Sequence, residues 1–356
     1  MKIRQVLPCL AYGDAIGNDT LALNAAIKEM GYSTEIFAEA VDQRLPKGTA
    51  KTMEAWTKLD DNDIIIYHLA IGWKYIDYIK REKCKKIAIY HNVTPPEFYR
   101  GYDDLAFKGC LNGIKEVKGL NQEFDYCLAD SDFNKQELIN YGYTCKIDVL
   151  PILIAFDDYK KKPADTVLKK YKGKGSNIVF VGRIVPNKKH EDIIKAFYYY
   201  KKYYDNNARL FLVGSYSEDN LYYRRLKKYI ELLKLDDVIF PGHIKFNEIL
   251  GYYSIADVFL CMSEHEGFCV PLVEAMMFDV PILAYDSCAI SGTLGDSGIT
   301  FENKSYIEVA GLMDRIVKDP ELKKCIVKGQ QKRLEFFERE KVQRMFQQYL
   351  KDFIGE

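Results

Sequence analysis

Two glutamates, Glu266 and Glu274, stand with seven residues between them in the stretch Ser263-Glu264-His265-Glu266-Gly267-Phe268-Cys269-Val270-Pro271-Leu272-Val273-Glu274-Ala275. The apolar run Ala256 to Cys261 ahead of them reads as a buried parallel strand. Pro271 falls where the first turn of a helix tolerates a missing N–H. The carboxylates therefore flank a strand-to-helix turn whose backbone amides, around Gly267, Phe268, Cys269 and Val270, point at a cleft. A helix N-terminus with a glycine beside it is a ready anion site. Carboxylates in such a place need hydroxyls to accept from, so one can hold a sugar and the other a ribose, while the amides hold the phosphates between. The stretch points to a nucleotide-sugar site, although a bare pair of glutamates at this spacing also arises by chance on exposed helices.

A second group lies in Val181-Gly182-Arg183-Ile184-Val185-Pro186-Asn187-Lys188-Lys189-His190, between a strand and a helix beginning near Glu191. A departing nucleoside diphosphate develops negative charge, and fixed cations aimed at it lower the barrier. Arg suits bidentate oxygen contacts and Lys a point charge, which fits Arg183 and Lys188 to phosphate. The alternative is a solvated basic loop, and Lys189 reads as outward-facing. His68 and His91 each end an apolar run, at the edge where parallel sheets bind ligands. A histidine there is commonly a capping or core residue. The sequence Asn92-Val93-Thr94-Pro95-Pro96 suggests instead a fixed loop that aims His91 into the cleft. His68 is placed in the acceptor region, with a structural role as the alternative.

With Gly-Phe after the first glutamate and Ala-Met after the second, the spacing resembles the signature of family 4 glycosyltransferases, which are retaining enzymes of the two-domain GT-B fold. The Gly-Arg followed by Lys188 matches the family in its place. The resemblance implies an α/β chain with two Rossmann-like, doubly wound parallel-sheet domains facing a central cleft. It also implies that His91, Glu266, Arg183 and Lys188 are the catalytic groups, with His91 contacting the donor sugar from the opposite domain. Donor contacts then include Gly182, Gly214, His243, Glu266, Gly267, Phe268, Cys269, Val270 and Glu274. Similar enzymes use no protein nucleophile: the donor's own phosphate takes the acceptor proton, and domain closure excludes water. Two places depart from the pattern. The first loop, Gly13 to Thr20, lacks the adjacent glycines of many family members, so Gly17 is left to serve the donor, and Asp14 or Asn18 to meet sugar or acceptor. Ser291-Gly292 stands where relatives often have Pro-Glu.

The elements that must position these groups follow from alternation along the chain. Expected strands are Gln5–Leu10, Thr34–Phe37, Ile64–Tyr67, Ile87–Tyr90, Tyr126–Ala129 and Ile147–Leu150, with a helix from Leu21 to Met30 after the first loop. The Asp157 to Ser176 linker is lysine-rich, and strands resume at Asn177–Val181, Leu210–Val213, Val238–Phe240, Val258–Cys261 and Pro281–Tyr285. Domain boundaries are set at 1–156 and 157–335, with a terminal helix of about 336–356 assigned back to the first domain, as in the family. Asp130-Ser131 reads as a helix cap rather than an acceptor contact. The Tyr198 to Tyr204 run reads as the end of an amphipathic helix, with membrane contact as the alternative.

At 356 residues the chain suits two α/β domains. Its formal net charge of zero supplies no long-range attraction for nucleic acid. Nine scattered cysteines without a CxxC pair favour reduced thiols in a cytoplasm over disulfides or zinc. Neither a signal peptide nor a membrane span is recognisable, so any membrane contact would be peripheral, at the inner face. No metal is expected: Asp60-Asp61-Asn62-Asp63 has the spacing of a DxD motif but reads as a turn before a strand. No cofactor is expected either, since no GxGxxG follows a strand, and the nucleotide sugar is a co-substrate. The expected function is transfer of a sugar from a UDP-, GDP- or ADP-linked donor to the hydroxyl of a glycan or lipid-linked acceptor, in cell-surface polysaccharide or glycolipid synthesis. The rivals are a nucleotide-sugar epimerase on the same fold and a non-catalytic binding subunit.

Overall fold

The continuous apolar runs become strands because a sheet covered by helices on both faces leaves its strands no solvent side. The computed structural model describes residues 1–355. Its first unit holds Met1–Pro96, Leu105–Phe156 and the segment from Phe336 onward. Here β1 (Lys2–Leu10), β2 (Ser33–Val41), β3 (Lys51–Thr52), β4 (Ile64–Leu69), β5 (Lys85–Tyr90), β6 (Tyr126–Ala129) and β7 (Lys146–Val149) form one sheet in the order β3-β2-β1-β4-β5-β6-β7. Every pair is parallel, with Gln5 opposite Ile66 and His68 opposite Ile89.

The second unit comprises Glu97–Asp104 and Asp157–Glu335. Its strands are β8 (Asn177–Val181), β9 (Arg209–Val213), β10 (Val238–Ile239), β11 (Val258–Cys261), β12 (Ile282–Tyr285) and β13 (Ile299–Phe301), ordered β10-β9-β8-β11-β12-β13 and again parallel throughout. In both sheets the order reverses beside the first strand, between β1 and β4 and between β8 and β11. The segment 97–104, read from sequence as part of the first domain, clusters with this second unit.

The terminal helix Arg339–Ile354 packs in the first unit, where Val342, Phe346 and Leu350 join Leu23, Ala26 and Ile27 of the helix Ala15–Glu29 in one core. That earlier helix begins at Ala15 rather than Leu21, because Asp14 caps it by accepting from the Ile16 amide at 3.2 Å. Gly17 therefore lies inside a helix. A Cβ there would stand 2.5 Å from the Ala11 carbonyl oxygen, so glycine lets the helix approach the end of β1. Ser131 caps the helix Asp132–Asn140 through the Asn134 amide, as read from sequence. The tyrosine run closes the helix His190–Tyr203 with Tyr200 buried and Tyr203 exposed. All nine cysteines are free thiols.

The helix Pro320–Leu334 is tied to the second sheet by one polar side chain. Gln330 is fully buried; its Nε2 donates to the Val280 carbonyl at 2.8 Å, and its Oε1 accepts from the Ile282 amide at 2.9 Å. Gln330→Leu would leave both backbone groups unpaired. The expected loss is roughly 2–4 kcal/mol, read by denaturant unfolding.

Candidate active site

Reversal of strand order between β8 and β11 makes the loops leaving these two strands diverge, which is where open parallel sheets hold ligands. One loop is Gly182 to Lys189, with the short turn Pro186–Lys188 before the helix His190–Tyr203. The other runs from Met262 to Cys269 and opens the helix Val270–Met277, with Pro271 in its first turn. The two sequence stretches singled out for chemistry thus meet at one switch point.

Asn187 fastens the loops together. Its carbonyl accepts from the Glu264 amide at 2.9 Å and its Nδ2 donates to the His265 carbonyl at 3.0 Å. Lys188 then reaches Glu266, with Nζ 2.5 Å from both carboxylate oxygens. The Glu266 side chain is buried at 6% exposure and that of Lys188 is mostly covered at 16%. Burial disfavours the ammonium, but the Glu266 carboxylate outweighs it and holds the Lys188 pKa above its ordinary value. Lys189, expected to face outward, is half-buried and pairs with Glu264 at 2.9 Å. Lys304 adds contacts to Glu264 at 2.8 Å and Asp192 at 2.9 Å. Thr293 donates to the Phe268 carbonyl at 2.5 Å, and Ser287 to the Ser263 carbonyl at 2.6 Å. The stretch that departs from the family at Ser291-Gly292 therefore still supports the glutamate loop. Arg183 is exposed and its guanidinium makes no hydrogen bond or ion pair among the described residues.

Two helix entries carry non-glycine residues in the left-handed region, Lys189 at φ 51° and Cys269 at φ 72°, and neither helix has a side-chain N-cap. Such strain is held only where surrounding bonds over-determine it, and it gathers at functional loops. The His190 amide is satisfied by the Tyr222 hydroxyl at 2.9 Å. Gly182 and Gly214 serve each other: a Cβ on Gly214 would lie 1.9 Å from the Gly182 carbonyl oxygen. His243 is exposed, on the loop after β10. In this same unit the Phe98 ring lies 6.3 Å from that of His265, with the Lys189 ammonium 5.7 Å from the Phe98 centroid.

Glu274, expected to accept from ribose hydroxyls, is instead engaged by the Tyr253 hydroxyl at 2.6 Å and by that of Tyr159. Burial pushes its pKa up while both tyrosines oppose the shift. Neither tyrosine was legible as a site residue, because the linker helix Phe156–Tyr159 and the helix Phe246–Ile255 are remote from Glu274 in sequence.

In the first unit the structure favours the structural alternative for His68 and turns the His91 ring onto its neighbours. His68, assigned to an acceptor, is fully buried, and both its ring nitrogens are engaged, by Gln5 at 2.9 Å and by His91 at 2.8 Å. The His91 side chain is 1% exposed, and its other nitrogen meets Asp130 at 2.9 Å. All four of these ring nitrogens find partners among the first unit's own side chains, so both rings are turned inward, whereas both ring nitrogens of the buried His190 lack a partner among the described residues. Asp14 and Asn18 are exposed at the start of the helix Ala15–Glu29. Two sets of side chains bring metal-ligand atom types within 4.8 Å of one another: Asp19 with His68 and His91, and Cys261 with Glu266 and Cys269. The histidine nitrogens are bonded to each other, and a cation at Glu266 would confront the Lys188 ammonium.

The fold is that of the GT-B glycosyltransferases. Sucrose-phosphate synthase from Thermosynechococcus elongatus superposes over 100% of both chains with a TM-score of 0.78 at 17% identity. Anabaena HepE in complex with UDP-glucose does so over 99% of this chain and 100% of that one, with a TM-score of 0.74 at 15% identity. In sequence, residues 165–333 match the family model of glycosyl transferases group 1. The capsular polysaccharide biosynthesis glycosyltransferase CapM of Staphylococcus aureus is 26% identical over 161 residues, 44% of this chain and 41% of that protein. The O-antigen chain mannosyltransferase B of Escherichia coli is 24% identical over 258 residues, 69% of this chain. The match spans 63% of that mannosyltransferase, so the chain covers less than two thirds of either relative. The sequence similarity to glycosyl transferases group 1 falls on the second unit, which carries the Arg183–Lys188 and Glu266 loops.

Breaking the central ion pair from one side would strand a buried carboxylate. Lys188→Met should lose roughly 3–5 kcal/mol in urea unfolding. Adding Glu266→Gln should recover part of that loss, and simple additivity would show that the two charges do not interact.

Proposed function

We propose that this chain is a retaining glycosyltransferase, of the hexosyl-transferring kind, that moves a sugar from a nucleoside-diphosphate donor to an acceptor hydroxyl. The observation that carries the reading is the meeting of the Arg183–Lys188 loop with the Glu266 loop at the β8–β11 switch point. Arg183, exposed and unpaired, takes the phosphate oxygens, and Lys188 supplies a second fixed charge to the departing diphosphate. Glu266 accepts from hydroxyls of the donor sugar once Lys188 turns towards phosphate. Glu274 accepts from the ribose hydroxyls in place of a tyrosine. The helix entry at Gly267 to Val270 faces the phosphates. Gly182, Gly214 and His243 belong to the same strand edge, with Gly17, Asp14 and Asn18 at the corresponding edge of the first sheet. His91 is assigned an electrostatic role there, since its nitrogens are committed. The donor's phosphate takes the acceptor proton, without a protein nucleophile, metal or further cofactor.

The names of the relatives support polysaccharide synthesis, and structural neighbours held with UDP-glucose or with UDP and GlcNAc support a nucleotide-sugar donor. The acceptor in this reading is a glycan or a lipid-linked precursor, met at the cytoplasmic face of the membrane by peripheral contact. No helix among the described residues is long and apolar enough to cross one.

A thermal-shift panel of UDP, GDP and ADP, with their sugar conjugates, tests the donor site. At a hundred times Kd a ligand selective for the folded state adds about 2.7 kcal/mol, so one nucleotide should raise Tm clearly. Arg183→Ala should weaken that nucleotide about tenfold or more. Silence across the panel from folded protein would reject the donor site. Glu266→Gln should reduce turnover about 100-fold with little change in circular dichroism; near-normal turnover would remove Glu266 from the sugar.

A further inference from the structure

In the first unit a hydrogen-bonded chain runs from the helix Ala15–Glu29 through β1, β4 and the end of β5 to the end of β6. The Gln5 amide nitrogen donates to the Thr20 carbonyl at 3.1 Å. A carbonyl can only accept, so this contact fixes the direction of the Gln5 amide whichever way its two atoms would otherwise be assigned. The Gln5 carbonyl oxygen consequently faces His68 Nε2 at 2.9 Å, and that nitrogen must carry a hydrogen. At the far end His91 Nδ1 lies 2.9 Å from Asp130 Oδ2; burial raises the Asp130 pKa while the charge and hydrogen bond of His91 lower it, and an ionised carboxylate there requires a second hydrogen on nitrogen. Between these ends, His68 Nδ1 and His91 Nε2 are 2.8 Å apart in rings inclined by 2° with centroids 5.1 Å apart. The rings meet edge to edge, and two bare lone pairs at that distance would repel. A third hydrogen sits between them.

Two neutral imidazoles hold two ring hydrogens, and this arrangement needs three. We propose that His68 and His91 share one positive charge, paired with Asp130, and that Gln5 and His68 are positioning residues that keep both nitrogens of His91 protonated. The charge lies on the His91 side. Asp130 is bonded to that ring, Asp19 of the helix Ala15–Glu29 and its N-cap Asp14 add negative field, and His68 faces only Gln5 and the other ring. Burial works against the charge, yet these carboxylates hold the His91 pKa above its ordinary 6.5, while burial and the His91 charge push that of His68 well below. Asp19 is itself fixed by the Leu153 amide at 2.8 Å and pushed up to about 7 by burial. Within the glycosyl-transfer reading, on which this consequence alone rests, His91 cannot serve as a base: it is a fixed cation at the carboxyl edge of β5.

The linkage has a definite sign. A histidine whose folded pKa is raised lends stability that is complete below 6.5 and is lost as pH rises through the folded value. The test is two-bond proton–nitrogen correlation on the full chain carrying nitrogen-15 histidine, from pH 6 to 9, with His68→Gln and His91→Gln used to assign the five rings. The expected result at pH 7 is one ring protonated on both nitrogens, His91, and His68 neutral with its hydrogen on Nε2. Two neutral rings at pH 7, or a doubly protonated His68, would overturn the proposal. His68→Phe, which removes the acceptor, should lower the His91 pKa by about one unit or more, whereas His68→Gln, whose carbonyl can still accept, should restore it. If sugar transfer is detected, its alkaline limb should move with the same shift. The resonances report the shared proton whether or not the chain transfers sugar, so failure of either reading shows separately.

Discussion

A parallel sheet releases every strand at the same edge, and the candidate site residues of this chain depend on that constraint. In the second unit β8 and β11 are neighbours whose following connections go opposite ways, so the Gly182–Lys189 and Met262–Cys269 loops are left side by side. Their closeness forces opposite charges together. Lys188 and Glu266 meet because each would otherwise be a buried, unpaired ion, and Asn187 closes the seam with main-chain bonds on both sides. Left-handed geometry at Lys189 and Cys269 follows from the sharp strand-to-helix reversals that this crowding requires.

The two units treat buried charge by the same rule but to different depths. In the second, Lys189 and Lys304 converge on the partly exposed Glu264, while Lys304 also serves the buried Asp192. A ligand can rearrange such pairs by offering oxygens of its own. In the first unit the polar chain through Gln5, His68, His91 and Asp130 is closed off, each group saturated by the next except for one oxygen of Asp130. Networks of that kind are rigid, because loosening one member leaves the others unsatisfied in a medium of low dielectric constant. Glu264 is thus placed to exchange partners, and the first unit's chain to hold a charge in place.

Residues close in sequence were read with little loss. The apolar runs became strands within a few residues, and the turn holding Glu266 and Pro271 opens a helix as expected, since periodicity and capping are local properties. The start of the helix at Ala15 was missed because Gly17 suggests a loop, and only contact with the Ala11 carbonyl explains a glycine inside that helix. His68 and His91 were correctly placed at a strand edge, yet the direction of each ring was not legible. That direction depends on Gln5, Asp19 and Asp130, which come from other elements.

What the sequence by itself determined is the alternation of strand and helix, the doubly wound class, and which residue types gather at the strand ends. Those properties rest on local pattern and on the chirality of parallel crossovers. Only the tertiary structure decided who pairs with whom: Lys188 with Glu266, Tyr159 and Tyr253 with Glu274, His68 with His91. Such pairings join residues from 21 to 115 positions apart. They are selected by the free energy of leaving a buried polar group unsatisfied, and that quantity exists only once the chain has folded around it.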